Sequence, residues 1–236
     1  MSGEGVKTRG PVIAIDGPSG VGKTTVSKLV AGKLGFSYVD TGAMYRAVAV
    51  GAVEAGVDIE SDEALREFCK GADIRFENGN EKIFFGGEDY TRKIREPSAG
   101  AAASRVSPMK PVREFLVGLQ RGLGAGGNVV MEGRDIGTVV FPDADVKIYL
   151  DAAEDVRAGR RHRELEEAST LRGSDIEEVK KAVGERDMRD SRRENSPLKK
   201  AEDAVLIDTG GMKAEEVAAR ILAVVKERLD VGDSSS

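Results

Sequence analysis

The chain has 236 residues, 36 Lys+Arg against 41 Asp+Glu, a net charge of −5 and 40% hydrophobic residues. That length allows one domain, or one domain with inserts, around a sizeable core, and the negative balance argues against a nucleic-acid-binding surface. No apolar run reaches the roughly 18 residues of a membrane span, the polar start lacks a secretory core, and the single cysteine, Cys69, rules out an internal disulfide, so a reducing cytoplasm is expected.

In chain order, residues 1–9 read as a disordered tail. Residues 12–16 (VIAID) form a short apolar run of strand type. A glycine-rich loop, GPSGVGKTT, follows at 17–25. Val26, Leu29, Val30 and Leu34 then fall at i, i+3, i+4 and i+8, one face of a helix. Residues 36–40 are a second strand, and Thr41 is placed to cap the next helix, with Arg46 a turn and a half further on. Cys69 lies on a helical stretch and reads as a small buried apolar residue. Between 72 and 89, Ile74 and Phe76 alternate, Asn78-Gly79 follows, then Ile83-Phe84-Phe85: a hairpin signal.

Continuous apolar runs at 128–131, 145–150 and 204–208 complete a set of five strands suited to a parallel sheet. Residues 153–196 carry no strand. They read as two Arg-rich helices joined by a turn near 171–175, with Ser174 and Glu177 matching a capping box. From Arg157 to Lys200 there are 13 Lys+Arg against 10 Asp+Glu, a local basic balance that suits either a small anionic ligand or a solvated helix face. Val217, Ile221, Val224, Val225 and Leu229 mark the last helix.

The fold class is therefore α/β: a five-stranded parallel sheet covered by helices, with a phosphate loop after the first strand. The expected core comprises 10–40, 114–152 and 197–230. An insert carrying the hairpin occupies 41–113, the Arg-rich lid 153–196, and 231–236 is a second disordered tail. No heptad or obvious apolar interface shows, so a monomer is expected.

Gly17, Gly22, Lys23 and Thr24 match G-x-x-x-x-G-K-[ST] between a strand and a helix. The loop residues Gly17, Pro18, Ser19, Gly20, Val21, Gly22, Lys23, Thr24 and Thr25 can surround phosphates where the helix begins, all but Pro18 offering a backbone N–H. Lys23 can reach the β- and γ-phosphates, and the Thr24 hydroxyl can ligate Mg²⁺. This pattern specifies a nucleoside triphosphate, not yet a kinase. A guanine-reading N-K-x-D is missing, and the D-x-x-G at 208–211 comes too late to sense a γ-phosphate. A phosphoryl transferase needs a second anion site. Arg46 offers one element of it, and the end of the third long strand offers another: Glu132, able to hold Mg²⁺ through water, followed by Gly133, Arg134 and Asp135.

Four stretches together, GPSGVGKTT, VDTGAMYRAVA, MEGRDIGTVVFPDADVKIYLDA and ERDMRDSRRENSPL, resemble the bacterial-type cytidylate kinases, within the phosphate-loop nucleoside monophosphate kinases. The likeness runs from about Val12 to Leu229. It implies transfer of the γ-phosphoryl group of Mg·ATP to CMP or dCMP. The other readings are a kinase for UMP, AMP or a small metabolite, and a non-kinase NTPase. By this resemblance Arg46, Arg134 and Arg193 grip the monophosphate, and Thr41 faces it. Ser104, Arg113 and Asp135 read the cytosine, while Arg186 and Asp190 contact the sugar. Arg157, Arg160 and Arg161 act with Lys23 on the transferred phosphoryl group from the lid, where their i, i+3, i+4 spacing suggests one helix face. Some relatives carry Asp where this chain has Glu132. His162 reads as a surface residue.

Overall fold

Strands that are apolar on both faces need helices on both sides. The computed structural model, which describes residues 9–77, 81–167, 175–193 and 196–233, has that arrangement. β1 (Val12–Asp16), β2 (Ser37–Asp40), β6 (Val129–Gly133), β7 (Val146–Asp151) and β8 (Val205–Asp208) form one parallel sheet in the order β2-β6-β1-β7-β8. Each lies within two residues of its expected ends. Along β1, Val12 and Ala14 face one core with α2 (Thr41–Glu54) and α5 (Lys110–Gly124). Ile13 and Ile15 face the other core with α1 (Lys23–Leu34) and α8 (Ala214–Asp233).

The insert runs through α2, α3 (Asp62–Lys70), β3 (Ile74–Glu77), β4 (Lys82–Phe85), β5 (Glu88–Asp89), a 3₁₀ turn at 93–95 and α4 (Pro97–Val106). β3 and β4 pair antiparallel with Ile74 opposite Phe85 and Phe76 opposite Ile83. Asn78 and Gly79 lie outside the described residues. The hairpin is in fact two-thirds of a sheet: β5, too short to show a pattern, pairs with β4. Cys69 is buried, and burial pushes its thiol up to about 11.

Several local expectations are corrected. The side chain capping α2 is Asp40, which accepts the Ala43 N–H at 2.9 Å; Thr41 is the first helical residue. The expected insert boundary at 113/114 falls inside α5, which Pro111 helps to start and which runs unbroken. The segment expected to be a lid contains α6 (Glu154–Glu167) and α7 (Ile176–Ser191). Ser174 and most of the expected turn lie outside the described residues, and Asp175 caps α7 by accepting the Glu177 N–H at 3.1 Å. His162 is only partly exposed and lies 3.4 Å from Glu166. Of the two expected tails, residues 1–8 and 234–236 lie outside the described residues, while Arg9 and residues 231–233 are ordered. Arg9 pairs with Asp143 at 2.9 Å and Asp145 at 3.1 Å, and α8 continues to Asp233. Among the described residues no helix is long and apolar enough to cross a membrane.

Candidate active site

The phosphate loop leaves β1 and enters α1 through Gly22, whose φ of 90° suits glycine. No side chain caps α1, so its first N–H groups stay available to an anion. Ser19, Gly20, Gly22, Lys23, Thr24 and Thr25 line a crevice of about 510 Å³. Val21, Gly22 and Thr25 also border a neighbouring pocket of about 290 Å³. Gly17 and Pro18 contribute their carbonyls, which accept from Lys23 Nζ at 2.8 and 2.6 Å. Burial, and then the Arg134 guanidinium, press the Lys23 ammonium down to about 7. A phosphate oxygen beside it would favour the charged form and reverse that shift.

Parallel pairing of β6 with β1 and β2 carries Glu132 to the loop. It is buried and accepts from the Tyr38 hydroxyl, and the Thr24 side chain lies close enough to favour its charged form. Burial and then the Asp40 charge raise its carboxyl to about 7. Thr24 and Glu132 thus bring two hard oxygen donors together beside the loop. Among the described residues no cluster of three metal-ligating side chains exists. A Mg²⁺ held here would complete its shell with water and phosphate oxygens, which is how this ion is usually bound beside nucleotides.

Opposite the loop, arginines are held from behind by carboxylates. Arg46 pairs with Asp40 at 3.1 Å, and Arg134 with Asp190 at 3.0 Å. Arg193 engages the other oxygen of Asp190 and donates to Ser107 Oγ at 2.7 Å. Asp190, expected at the sugar, is almost fully buried with both oxygens taken by guanidiniums, so it orients two arginines. Arg186 lines the same crevice, and no described residue forms an ion pair with it. Burial and then Arg134 lower its pKa to about 10, with Arg46 and Arg161 adding to the repulsion. A cation kept among cations is poised for an anionic ligand.

Further along the crevice lie the residues expected to read a base. Arg113 and Asp135, both buried, form an ion pair. Nearby in the same wall, Ser104 carries a buried hydroxyl with no partner among the described residues. Such an orphan normally has a ligand or water to satisfy it. Thr41 Oγ1 donates to the Glu132 carbonyl at 2.7 Å, at the crevice wall.

The three arginines expected on a lid do not share one environment. Arg161 faces the crevice and pairs with Glu164 at 3.0 Å. Arg160 borders the smaller pocket and donates to Thr209 Oγ1 at 2.8 Å and to the Thr209 carbonyl at 2.6 Å. Arg157 is buried behind the loop. It donates to the Ala152 carbonyl at 3.0 Å and the Ser19 carbonyl at 3.2 Å, and it pairs with Asp187. Asp187 in turn accepts the Ser19 N–H at 3.0 Å. A side chain at Gly20 would collide with the Arg157 carbonyl, 2.6 Å from a Cβ built there. Arg157 and Asp187 therefore clamp the loop tip, and the Arg157 guanidinium, expected at the transferred phosphoryl group, lies against the Ala152 and Ser19 carbonyls here. At i, i+3, i+4 on a 3.6-residue helix the three arginines still fan over a wide arc, and α7 takes the inner edge.

Sequence reasoning missed Asp187, Tyr38, Ser107 and Thr209. Only Asp187 left a usable signal: with Asp190 it stands at i and i+3, so both carboxylates belong to one face of α7. The others meet their partners through tertiary contact alone.

A phosphate loop facing a carboxylate-braced cluster of arginines across one crevice defines a phosphate-loop phosphotransferase, a protein that brings two anions face to face. The family model for cytidylate kinase matches residues 13–227. A cytidylate kinase from Geobacter sp. is 47% identical over 230 residues, covering 97% of this chain and 98% of that one. One from Thermosipho melanesiensis is 49% identical over 218 residues, 92% of this chain and 97% of that one. The chain belongs to the cytidylate kinase family. In fold it is also similar to a solved structure of an uncharacterized protein from Eubacterium ventriosum, with a TM-score of 0.53 at 12% identity over 93% of this chain and 99% of that chain.

Proposed function

We propose that this chain transfers the γ-phosphoryl group of ATP to CMP or dCMP, giving ADP and CDP or dCDP. The observation that carries this reading is the single crevice with the phosphate loop on one side and the Ser104, Arg113 and Asp135 group beyond a row of arginines on the other. Membership of the family supports the same acceptor.

No general base is needed. A nucleoside monophosphate has a second pKa of about 6 and is largely dianionic near neutral pH, so its oxygen attacks without losing a proton. The protein must instead hold two repelling anions in line and neutralise the charge that develops between them. Lys23 and the loop amides hold the donor phosphates. Arg46, Arg134 and Arg193 grip the acceptor phosphate through bidentate forks that lysine cannot offer. Arg186 and Arg161 line the crevice beside them and add positive charge where transfer occurs; an arginine so placed is worth roughly 10³–10⁵ in rate in other phosphoryl transfers. Thr24 and Glu132 would hold Mg²⁺, which would neutralise charge on the donor phosphates. The smaller pocket beneath Arg160 suits the donor base.

At the acceptor base, Asp135 and Ser104 accept from the cytosine amine, and Arg113 donates to its ring acceptors. Uracil would oppose a carbonyl to Asp135. Ser104→Ala separates this role from folding. The hydroxyl has no partner to lose, so the melting temperature should hold or rise, while KM for CMP should rise by about 3–10-fold for one neutral hydrogen bond. A variant that melts lower with an unchanged KM would take Ser104 out of the site.

We assign 41–113 to the half that receives the monophosphate and 153–196 to the lid. Their closure over both nucleotides would keep water from accepting the phosphoryl group. ADP release with Mg·ATP should accordingly depend on added acceptor. Equal release with and without acceptor would mean a hydrolase.

A further inference from the structure

The segment that carries Arg134 and Asp135 runs into a π-helical turn at Ile136–Val140. Asp135 occupies the N-cap position of that turn, where an aspartate ordinarily bonds the turn's first amides. It does not do so here; no side chain of the turn's own cap bonds them. The carboxylate of Asp135 instead pairs with Arg113. The first amides are taken from another strand. Asp16, the last residue of β1, accepts the Ile136 N–H on Oδ1 at 2.9 Å and the Gly137 N–H on Oδ2 at 2.8 Å.

We infer that Asp16 is a positioning residue for the acceptor site: it caps the 136–140 turn in place of Asp135 and so leaves Asp135 turned toward Arg113 and the crevice. Asp16 is buried, and among the described residues it forms no ion pair, so its bonding is committed to those two amides. Burial and the Asp135 charge hold its carboxyl up at about 6 against the pull of both N–H bonds and Lys23. A carboxylate kept buried at that cost, on the residue next to Gly17, ties the start of the donor loop to the acceptor loop.

The inference rests on the proposed cytosine site. Asp16→Asn is nearly isosteric but keeps one acceptor oxygen, so one amide loses its partner and Asp135 is drawn back to cap its own turn. The expected result is a rise in KM for CMP of about 10-fold and a lower preference for CMP over UMP, with KM for ATP changed less than about threefold. In an Asp135→Ala background the same substitution should add little to the loss of selectivity, because both act through one carboxylate. Gly137→Ala gives a second route should the first variant fold poorly. Its methyl would press on Lys147 Cδ and Cγ at 3.2 and 3.3 Å, right beside Asp16 Oδ2 at 3.4 Å, and by shifting the Gly137 amide from Asp16 it should raise the same KM. Parallel increases in KM for ATP and CMP, or additive losses of selectivity in the double variant, would overturn the inference while leaving the kinase intact. A wild-type enzyme with no CMP preference would remove the cytosine site and this inference together.

Discussion

Lys23→Met is expected to lower kcat for CMP phosphorylation by about 10²–10³-fold, the usual cost of removing one preorganised charge from a site where charge develops. Lys23 is buried, and its ammonium is held near the phosphate loop by the carbonyls of Gly17 and Pro18. Bringing phosphate oxygens into the loop would offer it stronger acceptors than those carbonyls. Methionine keeps the unbranched stem, and it removes a charge that burial already disfavours. The folded state should therefore keep its melting temperature. Steady-state kinetics and a thermal melt on the same preparation check both halves. A variant with kcat within about threefold of wild type would show that Lys23 does not act on the transferred group.

Asp135→Ala should have two large effects. It leaves Arg113 charged, buried and without its carboxylate, and removing one partner of such a pair costs about 3–5 kcal/mol of stability. It also removes the acceptor proposed to face the cytosine amine. The ratio of kcat/KM for CMP over UMP should fall by about 10–100-fold, the worth of a hydrogen bond to a charged group. Asp135→Asn separates the two. Its amide can still bond Arg113 through oxygen and can donate to a uracil carbonyl, so selectivity should shift toward UMP with a smaller loss of stability. An unchanged CMP:UMP ratio in both variants would place base recognition elsewhere.

Much of this was legible in the sequence because it is local. Five apolar runs and the period of Val26, Leu29, Val30 and Leu34 report burial directly, and the loop motif fixes its own conformation through its glycines. The residues proposed for the acceptor were suggested only as a set, through the family resemblance, because Arg46, Ser104, Arg113, Asp135 and Arg193 lie on five separate stretches that no spacing joins. What stayed hidden is long-range. Arg157 looked like its neighbours Arg160 and Arg161 until α7 brought Asp187 against it and turned it to the loop tip. Thr41 looked like a cap because the sequence does not say that its hydroxyl meets the Glu132 carbonyl across β2 and β6. Asp16 looked like the end of a strand; its two amide partners lie 120 and 121 residues away.

The central claim is that the loop's γ-phosphoryl group goes to a cytidine monophosphate. The most direct test is the initial rate of ADP production from Mg·ATP with CMP, dCMP, UMP, AMP, GMP or no acceptor. The account predicts turnover with CMP and dCMP, far less with UMP, and close to none with AMP, GMP or no acceptor. Turnover that favours AMP, GMP or UMP over both cytidine nucleotides would contradict it.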